Sequence, residues 1–313
     1  MIPLNLFDFH CDTPSMLYQD GTSLVSNPHH VSLEGAKAFR EYTQVMAIYS
    51  PWTLDDENSF RNFHKVADYL MNEFENHCDK ITYVRTAEGM RNAKTSTRAF
   101  LAVEDARLLA GKRERLRILH ARGVRFLTLV WSGESCIGGA HNTDVGLTDF
   151  GRTIVEDCFA MGIIPDISHA SVKTADEILT LAEACGKPVV ATHSNAYAVH
   201  PHTRNLRDEQ FERLKALGGL AGICLCNEHL SPKPQAAVED IVKHIEHYMS
   251  LGGEDHIAMG SDFDGTDLPE GIDCPSDLMK VAEALARLNY TETQLQKLFW
   301  QNATQFVEKN LLI

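Results

Sequence analysis

Eight short β-rich runs alternate with stretches of helical spacing, and this alternation constrains the fold more than any other feature of the chain. The runs are LNLFDFH (4–10), YTQVMAIY (42–49), RAFLAVE (98–104), VRFLTLVW (124–131), GIIPDISH (162–169), KPVVATH (187–193), GLAGICLC (219–226) and HIAMGSDFD (256–264). Helical periodicity marks 60–75, 151–162, 171–186, 208–218 and 238–253 between them, with Ser171 and Asp208 at N-cap positions and Gly186, Gly218 and Gly252 where helices stop. Strands alternating with helices build a parallel sheet, and eight of them fit a closed (β/α)8 or TIM barrel of the α/β class. A doubly wound open sheet is the competitor, but it usually has fewer strands, and no G-x-G-x-x-G follows the first run. No linker, short-period repeat or second domain interrupts residues 1–313, which read as a single barrel domain. The closing stretch TETQLQKLFWQNATQFVEKNLL (291–312) starts at a capping Thr and predicts a C-terminal helix laid against the barrel.

Composition narrows the function classes. With 44% hydrophobic and 23% charged residues the chain is ordinary for a globular protein and has enough apolar residues for a large core. A formal charge of −14 without any basic run argues against nucleic-acid or anionic-membrane partners. No signal peptide and no membrane-length apolar segment is legible. Eight scattered cysteines without a C-x-x-C pair favour reduced, buried thiols and a cytoplasmic setting, with Cys224 and Cys226 read as core.

Chemistry-bearing residues fall at the strand ends. FDFHCDTP (7–14) closes the first run with His10 and Asp12 two apart, so an extended strand puts them on one face with Asp8, while Phe7, Phe9 and Cys11 face the other way. Glu104, His169, His193 and Asp262 end or follow the third, fifth, sixth and eighth runs. Taken singly, each has a plain structural role as a cap, a satisfied core histidine or a turn residue, and Asp264 reads as shaping the turn before Gly265. Five strands presenting such groups at the same end is a different matter, because a barrel gathers those ends at one mouth. Three imidazoles and three carboxylates there suit one or two metal ions, and a carboxylate between two cations can bridge them. His29, His30, His64, His77, His244 and His247 show no such placement, and His200 and His202 lie in a loop near the mouth.

These residues resemble the renal (membrane) dipeptidase family, peptidase M19, a branch of the amidohydrolase superfamily of metal-dependent hydrolases. DFHCDT, AVEDA, GLTDFGR, PDISHAS, ATHSNAYAVHPHTRN and GSDFDG occur in that family's order and spacing over nearly the whole chain. The resemblance implies a barrel with two Zn2+ ions, other divalent metals being admissible, that hydrolyses dipeptides, including those with a C-terminal D-residue, by attack of a metal-bridging hydroxide. It implies His10 and Asp12 on one ion, Glu104 bridging, and His169 and His193 on the other. Asp262 would be the catalytic acid/base, and Arg204 would hold the substrate carboxylate, a task suited to a planar, permanently charged guanidinium. Relatives of this kind often form homodimers, although no residue here argues for one.

One position departs from the renal pattern. Where that pattern places a histidine that contacts the scissile carbonyl, LTLVW has Trp131, whose indole N–H donates one hydrogen bond and neither accepts nor carries a proton. Trp131 is expected to wall the substrate pocket, and His141 in the downstream GGAHN is placed to supply the missing polar contact. Two alternatives stand beside the dipeptidase: another amide or ester hydrolase on the same barrel, and a metal- or peptide-binding homologue without turnover. The absence of a lysine at the fourth strand end, where many barrel hydrolases carry a carboxylated bridging lysine, favours the dipeptidase branch.

Overall fold

A computed structural model describes residues 4–312. Its strands are β1 (Leu6–Cys11), β2 (Tyr42–Tyr49), β3 (Thr82–Tyr83), β4 (Thr97–Glu104), β5 (Val124–Thr128), β6 (Ile164–Asp166), β7 (Val190–Ala191), β8 (Leu220–Ile223) and β9 (Ile257–Met259). All pairings between them are parallel, and β2 closes onto β4, so eight of the nine strands form the barrel. The extra strand, β3, pairs with Arg98 and Ala99 of β4, below the point where β5 begins. Its two residues are too short a run to carry a periodic signal.

Each of the eight sequence runs supplies one barrel strand, but several strands end earlier than their apolar pattern does. β6 stops three residues before His169 and β9 three before Asp262. Both residues have left-handed backbones, with φ of 67° and 64°, which no strand accommodates. The helices follow the predicted spans closely. Ser171 caps Val172–Cys185 by accepting from the Thr174 N–H, and Gly186 closes that helix at φ 59°. Asp208 is the first helical residue and not the cap, a position equally favoured by the helix dipole.

The barrel interior is apolar: Phe7, Phe9, Val45, Ala47, Phe100, Phe126, Ile164, Val190, Leu220 and Ala258 meet there. The C-terminal segment reaches this core. Thr291 caps Glu292–Gln296, a wide π-type turn covers Lys297–Gln301, and Asn302–Asn310 completes it. Phe306 packs edge-on against Phe9 at 6.3 Å, while Asn302 donates to the Glu254 and Ile257 carbonyls at the start of β9. The segment therefore plugs the N-terminal end of the barrel, leaving the C-terminal end open.

The first strand corrects a simple expectation. Strict alternation would put His10 on the same face as Asp8, yet β1 pairs Asp8 with Gln44 and Cys11 with Met46, three steps against two. This bulge inserts one residue and exchanges the faces beyond it. Phe7 and Phe9 fill the interior, and His10 then joins that same side at the mouth. Asp8 stays in the layer between barrel and helices, where the Ser261 N–H (2.8 Å) and hydroxyl satisfy it.

His244 is a fully buried neutral imidazole: Nδ1 accepts from the Ala196 N–H at 3.1 Å and Nε2 donates to the Leu230 carbonyl at 3.0 Å. Burial pushes its pKa down from about 6.5 to about 4. Between those values the unfolded chain holds a proton that the folded chain refuses, so this contribution to stability is complete above pH 6.5 and erodes as pH falls towards 4. His244→Gln should be less stable at pH 7 yet show a shallower loss between pH 6.5 and 4.5, by up to one proton or about 1.4 kcal/mol per pH unit, in denaturant titrations.

Candidate metal centre and substrate cavity

Glu104 leaves β4 at its last residue and occupies the centre of the barrel mouth, buried at 3% exposure. Its Oε1 lies 2.9 Å from His169 Nε2 and 3.5 Å from His193 Nε2, and its Oε2 lies 3.7 Å from His10 Nε2. One carboxylate thus turns one oxygen to each of two donor groups. His10 Nε2 is also 3.4 Å from Asp12 Oδ2 and 3.9 Å from Asp262 Oδ1. His10, Glu104 and His193 bring one ligand atom each within 4.8 Å of one another, as do His10, Asp12 and Asp262.

The outer contacts decide which nitrogens carry protons. His169 Nδ1 faces the Trp131 carbonyl at 3.1 Å, which only accepts, so the ring hydrogen sits on Nδ1 and Nε2 is bare. Thr192 gives its hydroxyl hydrogen to Asp166 Oδ2 at 2.6 Å and lies 2.7 Å from His193 Nδ1, so its oxygen takes the ring hydrogen of His193 and bares Nε2 there too. Asp166 itself is fully engaged, accepting from the N–H groups of Ser168 and Thr192 and from the Thr128 and Thr192 hydroxyls. The two bare nitrogens lie 2.9 Å apart, a repulsive contact that a cation relieves. His10 Nε2 and Asp12 Oδ1 are buried without a hydrogen-bond partner. These donors fit divalent ions of the borderline kind that take imidazole and carboxylate together.

The titration directions describe the same demand for positive charge. Burial drives Asp12 well above its ordinary carboxylate range, and Glu104 beside it adds to the shift. Burial opposes charge on His10, but Glu104 and Asp12 hold its proton well above the usual histidine value. Burial and the charge on His10 push His193 well down, and burial and Arg204 take His169 to about 3, so both remain lone-pair donors at neutral pH. Asp262 is raised to about 6 by burial, against the pull of His10.

The backbone around the centre is unusual. Asp105, His169, Asp262 and Asp264 all have positive φ, the conformational cost that accumulates at functional sites. A Cβ on Gly265 would stand 2.2 Å from Asp12 Oδ2 and 2.5 Å from Asp262 Oδ1, so only glycine lets the chain pass these carboxylates. Asp264 faces the same cavity, but its carboxylate accepts from Thr13 and from the His30 and Val31 N–H groups, fastening the loop after the first helix.

A cavity of about 560 Å³ opens above these imidazoles and carboxylates, within the usual range for small-molecule sites. Arg204 lines it, 5% exposed, with Nε and Nη1 unpartnered and Nη2 reaching the His193 carbonyl at 3.5 Å. Trp131 lines it too, edge-on to Tyr49 at 5.0 Å. His141 also faces the cavity; its ring centre lies 6.2 Å from that of His169, and its Nδ1 meets the Thr203 hydroxyl at 2.8 Å. Burial, then Arg204, pushes His141 to about 4 and keeps it uncharged. His202 is at the rim, whereas His200 is not among the lining residues.

Tyr49, Trp52, Met16 and His229 also line the cavity and escaped the sequence reading. Tyr49 ends the second run as Glu104 ends the third, so its strand-end position is its signal in the sequence. His229 sits three residues beyond the seventh run, on the short helix Asn227–Leu230, where no local signal distinguishes it.

Residues 1–310 match the profile of membrane dipeptidases, peptidase family M19. The chain is 28% identical over 316 residues to an uncharacterized dipeptidase of Schizosaccharomyces pombe, covering 97% of this chain and 68% of that one. Among solved structures it superposes on the M19 metallopeptidase named dipeptidase AC with a TM-score of 0.91 at 27% identity, covering 99% of both chains. It matches a Rhodobacter sphaeroides metallopeptidase liganded with a phosphinate mimic of L-Ala-D-Ala equally well, with a TM-score of 0.91 at 26% identity over 98% of this chain and 99% of that one. With a profile match over nearly its full length joined to this strand-end cluster of imidazoles and carboxylates, the chain belongs to the membrane dipeptidase family, a family of metallo-dipeptidases.

Proposed function

We propose that the chain hydrolyses dipeptides that carry a free C-terminal carboxylate, L-Xaa-D-Xaa among them. In this reading two zinc ions are held by His10, Asp12, Glu104, His169 and His193. Arg204 is the observation that carries it. A guanidinium is not left buried with two donors unpaired unless an anion completes it, because each orphaned donor bears a desolvation cost of about 1–3 kcal/mol or more. A planar carboxylate is the matching shape. Its fixed position beside the metal-binding residues sets a short span between carboxylate and scissile bond, as a dipeptide requires. The mimic of L-Ala-D-Ala bound by the Rhodobacter relative supports the stereochemical choice.

Bound ions would polarise the scissile carbonyl and activate water. The chain's own residues supply orientation and proton transfer. Arg204 anchors the carboxylate end. Asp262, buried at the mouth with Oδ1 3.9 Å from His10 Nε2, takes a proton on one side of the reaction and returns it to the leaving amine. The Cys224 thiol points at Asp262 Oδ2 from 3.7 Å and helps to keep that carboxylate aimed.

Saturating zinc should load two equivalents per chain by elemental analysis and raise the unfolding temperature above that of chelator-treated protein. Glu104→Ala, which removes the shared ligand, should lose most of both effects; one equivalent or none in the intact chain overturns the paired arrangement. Asp262→Asn should keep the metal but lose about a hundredfold or more in kcat, since an amide cannot shuttle the proton. Arg204→Ala should raise KM for dipeptides about ten- to a hundredfold with metal content unchanged. Amidated dipeptides should be poor substrates of the intact enzyme, and equal cleavage of free and amidated forms would remove Arg204 as the selector.

A further inference from the structure

The Tyr49 hydroxyl has no part in the site as described so far. Tyr49 is the last residue of β2, and the parallel register sets it directly beside Glu104, the last residue of β4. Paired residues of neighbouring strands project on the same face, so both side chains enter the barrel mouth. The ring is fixed edge-on against Trp131, and the side chain lines the cavity.

Its hydroxyl oxygen is buried and has no hydrogen-bond partner among the described residues. The Trp52 backbone N–H leans towards that oxygen without reaching good hydrogen-bond geometry. An N–H engages only a lone pair, so the hydroxyl hydrogen has nothing to donate to. Buried hydroxyls in native proteins are paired, and an exception calls for a partner supplied from outside the chain. Glu104, Asp105 and Asp12 lie around the phenol, and burial together with these carboxylates keeps it protonated.

The missing partner must be an acceptor that reaches the neighbourhood of Glu104. A dipeptide offers few. Its ammonium accepts nothing, and its carboxylate is met by Arg204. The carbonyl oxygen of the scissile bond remains, and it is the group that must approach Glu104 and the metal-binding residues. We infer that Tyr49 is a catalytic residue whose hydroxyl donates a hydrogen bond to the scissile carbonyl oxygen as that oxygen gains negative charge. The inference rests on the dipeptidase reading above and adds to it an oxyanion donor contributed by the protein.

Tyr49→Phe isolates the hydroxyl, because it keeps the ring and its packing on Trp131. Removing an unpaired buried hydroxyl should leave the unfolding temperature equal or higher, and zinc content should be unchanged. The variant should lose about ten- to a hundredfold in kcat with KM within about twofold, a smaller effect than that of a sole oxyanion donor because the metal centre shares the charge. Binding of a phosphinate dipeptide, whose tetrahedral oxygens mimic the transition state, should weaken by the same factor as kcat/KM. An unchanged kcat, or a rise confined to KM, overturns the inference while the dipeptidase reading stands. An intact, zinc-loaded enzyme that cleaves no member of an L,L- and L,D-dipeptide panel overturns both.

Discussion

Two imidazole lone pairs directed at each other across 2.9 Å, beside a buried carboxylate, cannot persist without positive charge between them. The rest of the barrel mouth is organised around that requirement. The protonation of His169 is fixed by the Trp131 carbonyl and that of His193 by Thr192, so neither ring relieves the repulsion by moving its own hydrogen to Nε2. Thr192 is held in turn by Asp166, which Thr128 and Ser168 also engage. A chain of hydrogen bonds across β5, β6 and the segment after β7 therefore maintains an arrangement that is unfavourable without a cation. Protein-imposed preorganisation of this kind would favour a cation, because donors already held in place have little left to reorganise.

Bringing six such groups to one point requires departures from regular strand geometry. In β1 an inserted residue turns His10 towards the mouth while Phe7 and Phe9 still fill the interior. After β6 and β9, left-handed residues at His169 and Asp262 end the strands and redirect their side chains. Gly265 lets the backbone pass within contact of Asp12 and Asp262. These local costs are borne by the apolar interior below and by the C-terminal segment that seals the opposite end through Phe306 and Asn302. Stability is concentrated at one end of the barrel and strained chemistry at the other, the usual division in this architecture.

Much of this was legible in the sequence, for identifiable reasons. Strand number and order follow from apolar runs alternating with helical spacing, which tertiary context reinforces. The placement of His10, Asp12, Glu104, His169, His193 and Asp262 at one end follows from that order alone, since parallel strands have only two ends. The bulge in β1 was not legible: FDFHC alternates well as written, and the shift shows only in pairing with β2. Strict alternation therefore places His10 at the right end of the strand but on the opposite face. His229 and Trp52 were hidden because they lie outside the strands, on a four-residue helix and in a loop, where distance along the chain says little about distance in space. In the sequence Asp264 reads as shaping a turn, and the fold gives its carboxylate a second task in fastening a loop 234 residues away, at His30.

Trp131 divides two structural tasks between its backbone and its side chain. Its backbone carbonyl orients His169, and a carbonyl is the same whatever side chain the residue carries. The side chain performs a separate task, walling the cavity against Tyr49. Because the two tasks use different atoms, a change of side chain at this position leaves the orientation of His169 undisturbed. Tyr49 and His141 line the same cavity, one paired in register with Glu104 and the other hydrogen-bonded through its backbone to the His169 carbonyl. Both are thus positioned through the backbones of Glu104 and His169, so polar groups other than the indole N–H reach the mouth from fixed points of the framework.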